Sequence, residues 1–242
     1  MPKTRRLFWG IILILTCGLT AFAQDVSRDA LRQQIQAKRG ELAELEKQFL
    51  APAKTDRAQF GALLSQPNTG LIRLLPREKY DGDVAKKEKT LTMRGGGAYY
   101  SFARSTHEYG YGSDLELSGG YLSVGFAGAN YGMLFKLGDI SVEDVSSELP
   151  AARTLLEYAP PANEPEARIE QRKVNTGVHL SGFVFKDRLP LETDTTYLLR
   201  SISYDTSDIA VVFRVARKDT DGSIIVAFKV LRNFAVPKLA RN

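Results

Sequence analysis

Acid–base, nucleophilic and metal chemistry in this chain has few side chains to draw on. There are two histidines, His107 and His179, and one cysteine, Cys17. His107 stands in the run Ser105-Thr106-His107-Glu108-Tyr109-Gly110-Tyr111-Gly112-Ser113-Asp114, a polar, glycine-flanked loop between two apolar stretches. An imidazole titrates near neutrality, and a neighbouring carboxylate can orient it or share a metal ion with it. A secreted hydrolase built here would use His107 with Glu108 or Asp114, and it requires those three side chains to converge in one pocket. No catalytic residue is assigned on the sequence alone. His179, between Val178 and Leu180, reads as a packing residue.

The common signatures fail on spacing. No serine lies in a G-x-S-x-G elbow. His107-Glu108 begins like the zinc-protease H-E-x-x-H, but Tyr111 stands where the second histidine belongs. Glycines 95–97, 110 and 112 lack the lysine and the following helix of a phosphate loop. The run Asp219-Thr220-Asp221-Gly222 puts glycine fourth, where a calcium loop wants it sixth, and reads as a hairpin turn. No metal site and no cofactor are expected.

Tyrosine is more informative. Six of the ten tyrosines (Tyr99, Tyr100, Tyr109, Tyr111, Tyr121 and Tyr131) fall between positions 99 and 131, in a glycine-rich stretch. Glycine lets a ligand approach the backbone, and tyrosine offers a flat apolar face with a hydroxyl at its edge. Tyr99, Tyr100, Tyr109 and Tyr111 are accordingly the expected ligand-binding residues, on a platform suited to sugar rings or peptide segments. The competing reading is aromatic packing in twisted strands. Tyr99 and Tyr100 are adjacent, so on a strand they point to opposite faces, and at least one is expected at the surface.

The amino terminus looks like an export signal. Lys3, Arg5 and Arg6 form a positive start, residues 7–19 are almost wholly apolar, and Ala21-Phe22-Ala23 is a small-x-small cleavage site. Cleavage is expected after Ala23, giving a periplasmic or extracellular protein. If the segment is kept, it serves as an N-terminal anchor at the short limit of a spanning helix. Removing it leaves 30 basic residues against 28 acidic ones, so the basic balance belongs largely to the leader. No basic stripe suggests nucleic acid. With Cys17 gone the mature chain has no thiol, hence no disulfide and no cysteine nucleophile.

The elements that must position these residues fall into two textures. Residues 25–50 read as one amphipathic helix. Arg28, Leu31, Ile35, Lys38, Leu42, Leu45 and Phe49 follow alternating steps of three and four, the spacing of a short coiled coil that could support a homodimer. The same stripe would also suit a helix docked on its own domain. A second helix is expected over 56–65, capped by Thr55 or Asp56. From residue 68 the texture is β. Strands are expected at 71–75, 91–94, 98–103, 114–118, 121–127 and 131–137, with a two-residue turn at Gly119-Gly120. Short helices are expected at 141–145, 150–158 and 166–173, with a stiff proline-rich connector at 160–165. Residues 196–204, 209–217 and 223–234 form a three-stranded antiparallel meander, expected to present one face to the core.

The sequence therefore implies an α+β fold, with N-terminal amphipathic helices followed by a mostly antiparallel sheet or sandwich. The expected organisation is a leader at 1–23, a helical segment at 24–67 and a β-rich domain at 68–242. The favoured functional reading is a non-catalytic exported module that binds an envelope protein or cell-wall glycan. The hydrolase using His107 is the alternative.

Overall fold

The computed structural model describes residues 27–84 and 91–240; the expected leader and the basic run at 86–89 lie outside them. No helix among the described residues is long and apolar enough to cross a membrane. The helices are α1 (Arg28–Leu50), α2 (Lys54–Gln59), α3 (Gly61–Leu64), α4 (Arg77–Tyr80), α5 (Pro150–Glu157) and α6 (Glu164–Thr176). The strands are β1 (Thr69–Leu74), β2 (Tyr99–Tyr100), β3 (Leu115–Ser118), β4 (Tyr121–Ser123), β5 (Tyr131–Gly138), β6 (Val178–Leu180), β7 (Phe183–Phe185), β8 (Arg188–Pro190), β9 (Thr195–Ser203), β10 (Ser207–Lys218) and β11 (Ile224–Asn233). The chain divides within α1 into two units, Met1–Glu41 and Leu42–Asn242, and the fold described below is that of the second.

The class is α+β, with helices leading into antiparallel sheets. A five-stranded sheet in the order β1-β11-β10-β9-β5 contains the C-terminal meander as its centre. A four-stranded sheet, β2-β3-β4-β8, packs on one face of it, and a small β6-β7 hairpin forms a ladder of its own whose Phe183 and Phe185 pack on Phe135 of β5. The apolar alternation explains the layering. On β9, Tyr197 and Leu199 face the four-stranded sheet, whose Leu115, Leu117 and Leu122, with Val124 just beyond β4, meet them. Leu198 and Ile202 point the other way, towards Leu155 and Leu156 of α5 and Ala167 and Val174 of α6. Strands β10 and β11 divide in the same manner. Both faces of the large sheet are thus buried, not one as the meander suggested. The near-continuous apolar runs at 209–213 and 224–228 are what a central layer needs, since a solvated face would carry alternating polar residues.

Arg200, on β9, lies inside this core and is only 1% exposed. Its guanidinium forks onto both Asp208 carboxylate oxygens at 2.9 Å and donates to the carbonyls of Leu155 and Tyr158 at 2.8 and 2.6 Å. Four of its five N–H donors are matched and the guanidinium lies over the Phe234 ring at 3.8 Å, which meets the condition for burying a charge without unfolding the layer around it.

Several local expectations are corrected. Residues 91–97 form turns and a single bridge, because Gly95, Gly96 and Gly97 all take positive φ. At Gly96 a Cβ would sit 2.3 Å from the Tyr80 backbone, so only glycine lets the turn close there. The expected strand at 98–103 shrinks to β2, and the one at 121–127 ends at Ser123. The helix expected at 56–65 is two short ones, with Ala53 as the first cap; Asp56 instead reaches back to the Ala53 amide and pairs with Arg217. Residues 141–145 are turns rather than helix. Helix α6 begins at Glu164, because the Asn163 side chain caps it and Pro165 fits its first turn.

Candidate functional site

The loop from 101 to 114 is held by three separate sets of contacts. The Nε2 of His107 lies 2.8 Å from the carbonyl of Arg73 on β1, and its ring meets Tyr100 edge-on at 5.3 Å. Burial lowers its pKa, only partly opposed by the bond to Arg73, so the ring is neutral around pH 7 and Nε2–H is the donor. Glu108 is ion-paired to Arg104. Asp114 is fully buried. Its Oδ2 accepts from Ser101 Oγ at 3.3 Å and from the Ala103 amide at 3.2 Å, while Oδ1 has no partner in hydrogen-bonding geometry, Ser201 and the Phe102 amide being its other polar neighbours. Burial pushes its pKa up, against hydrogen bonds that pull it down. Of the three hydrolase candidates, only His107 lines a cavity described below, and each is engaged by a different partner. Among the described residues no group of three His, Cys, Asp or Glu side chains is placed to hold a metal ion. The carboxylates at Asp219 and Asp221 are instead taken up by Arg73, Arg217, Tyr80 and Ser223 around the β10–β11 turn.

The tyrosines do not form one platform. Tyr100 points into the space between the sheets, against Phe102 and Phe228, and burial raises its hydroxyl pKa to about 12. Tyr99 points to the opposite face but is buried as well, which corrects the expectation that one of the pair is exposed. It is covered by Tyr109 and Phe126, whose ring centroids lie 5.0 and 5.4 Å away, and its hydroxyl donates to Glu116 at 2.6 Å. The loop folding back over the short strand β2 supplies this cover, a tertiary contact that strand alternation does not report. Tyr109 is half-buried beneath Arg94, whose guanidinium stands 4.5 Å from the ring centre. Tyr111 is 70% exposed.

Tyr100 and His107 meet at a cleft of about 440 Å³. One part of its lining is the end of α1 and the segment after it, with Glu46, Leu50, Pro52 and Arg57. Another is Leu71 and Ile72 of β1, and a third is Met93 with Tyr100 and residues 105–107. Glu46 anchors the α1 wall by accepting from the Thr92 amide and hydroxyl and the Met93 amide at 2.7 to 3.2 Å. The floor is an edge strand, since among the described residues β1 pairs only with β11.

A second surface runs along α1. Leu31, Ile35, Leu42, Leu45 and Phe49 are 39–61% exposed, whereas Glu46 and Leu50 on the neighbouring side of the helix are buried. The apolar stripe lies beside the buried side of the helix, and its last member, Phe49, meets the Tyr80 ring at 6.0 Å and the Arg73 guanidinium at 5.1 Å.

Comparisons with protein-family models, curated proteins and solved structures return no match. Function rests on these two surfaces.

Proposed function

We propose that this chain is an exported, non-catalytic module of the cell envelope that works by binding, and that α1 is its docking helix. The observation that carries the reading is the exposure of five large apolar side chains along one helix, in a three-four repeat that Lys38 interrupts. Apolar surface concentrated in a stripe of this kind marks an association site. Spacing of 3.5 residues per turn suits another helix of the same pattern better than a broad globular face.

A second copy of the chain supplies that helix. In an antiparallel pair, Leu31 meets Phe49 of the second copy, Ile35 meets Leu45, and Lys38 lies beside Leu42 and Glu41. A parallel pair would set Lys38 against its own counterpart in the seam, and Glu41 towards Glu46. Lys38 already lies 2.8 Å from Glu41 along its own helix, so the antiparallel pair keeps that charge compensated.

Sedimentation of the leader-free chain tests the reading. It is expected to show a dimer that dissociates in the double variant Leu31→Glu/Leu45→Glu, with unchanged circular dichroism. A wild-type chain that stays monomeric at every concentration would count decisively against it.

A further inference from the structure

We propose that the cleft beside β1 is a second binding site, which takes an extended, acidic-flanked apolar peptide as an added strand. The inference does not depend on how α1 pairs.

It begins from hydrogen-bond parity. The Val230 amide donates to the Asn68 carbonyl at 2.8 Å. In an antiparallel ladder the pairs alternate, so Gly70, Ile72 and Leu74 bond to β11, while the amides and carbonyls of Thr69, Leu71 and Arg73 turn outward. His107 confirms the parity, because it meets the outward carbonyl of Arg73 at 2.8 Å. Just beyond, the Leu75 amide donates to Gly97. Ahead of these two protected points, the outward amide and carbonyl of Leu71 and the amide of Arg73 have no partner among the described residues. Leu71 is also part of the cleft lining.

The opposite edge of the same sheet is treated differently. On β5, Leu134 exchanges both backbone hydrogen bonds with Lys186, at 2.7 and 3.1 Å. Folded proteins normally cover or blunt a sheet edge. Here the β5 edge is bridged at Leu134, whereas the β1 edge opens into a cavity at Leu71, with an unused donor and acceptor on that residue. That is the chemistry an incoming strand satisfies: main-chain bonds supply affinity, and alternate side chains find the walls.

The walls and rim define the occupant. Leu50, Leu71, Ile72 and Met93 provide apolar lining for a β-branched or aliphatic side chain. Of the charged residues in the lining, Glu46 is consumed by Thr92 and Met93. Lys47 is exposed and lies 3.9 Å from Glu44, and Arg57 is exposed with no ion pair among the described residues. The charge left to greet a ligand is positive, which favours carboxylates flanking the apolar centre. His107 ends the site by occupying the Arg73 carbonyl, so the added strand is short and centred opposite Leu71.

The test uses the full chain and a blocked pentapeptide, three β-branched residues between two glutamates. Binding is read by titration calorimetry and by amide hydrogen exchange. Saturable binding is expected, with slowed exchange at the Leu71 amide. N-methylation of the peptide's central amide should weaken binding about tenfold, because the Leu71 carbonyl then loses its donor. Arg57→Glu should weaken it several-fold and flatten its salt dependence. Leu71→Pro removes the outward amide without touching the β11 ladder and should abolish binding. Should Leu71→Pro fail to fold, the N-methylated peptide and Arg57→Glu still decide the matter. Three results would overturn the proposal: no binding of this peptide, binding indifferent to N-methylation, or a Leu71→Pro-sensitive dimer showing that the edge pairs with a second copy.

Discussion

Asp114 offers the sharpest stability test, because its two carboxylate oxygens are so unequally served. Consider Asp114→Asn. The amide oxygen can take the place of Oδ2, accepting from Ser101 and Ala103, while the NH2 group occupies the position of the unpartnered Oδ1. A buried unmatched polar group costs about 1–3 kcal/mol, and more when it is charged. The native aspartate bears that larger cost above its folded pKa. Since burial raises that pKa above its unfolded value of about 3.9, the folded state holds a proton that the unfolded chain has already lost. Stability therefore falls as pH rises from about 4 to the folded pKa, at up to about 1.4 kcal/mol per pH unit, and is level beyond it. The asparagine variant lacks this slope. Urea denaturation from pH 4 to 8 should find it more stable than wild type by about 1–2 kcal/mol at pH 7, with the gap closing towards pH 4. A gap that does not vary with pH, or a loss above about 2 kcal/mol at pH 7, would refute the reasoning; such a loss means the carboxylate is anchoring a donor that the asparagine cannot hold.

His107→Ala should cost about 1 kcal/mol and speed hydrogen exchange along β1, because the Arg73 carbonyl loses its donor. With the pKa of His107 held down in the fold, its contribution is present at neutral pH and fades as pH drops below about 6.5 through the folded value, visible as a pH-dependent denaturation midpoint. Gly70→Ala should destabilise by about 1–3 kcal/mol in urea, since a Cβ there would sit 2.4 Å from the Phe228 ring. Arg200→Met should cost about 3–5 kcal/mol by leaving Asp208 buried and alone, and Arg200→Met/Asp208→Leu should recover much of it in the same assay.

The long-period features of the fold were legible in the sequence. The meander declared itself because β9, β10 and β11 are β-rich runs with apolar centres joined by short polar turns, and the Gly119-Gly120 hairpin because both glycines take the positive φ its turn demands. The three short strands between 178 and 190 went unread, since three-residue pairings are too brief to show a period. The candidate site was half legible. His107 and Tyr100 stood out by residue type, and both line the cleft, but its other walls come from Leu50, Pro52 and Arg57, far away in the chain. The cleft's open edge depends on ladder parity in β1, which no local pattern encodes. Tyr99 was misjudged for the same reason: the cover from Tyr109 and Phe126 is a matter of how a loop returns.

The exposed stripe on α1 is the surface on which the binding reading depends. Sedimentation equilibrium of the leader-free chain across a range of concentrations, beside Leu31→Glu/Leu45→Glu, examines it without intermediaries. The account predicts twice the monomer mass for the wild type and the monomer mass for the variant. Equal masses for the two proteins at every concentration would contradict it.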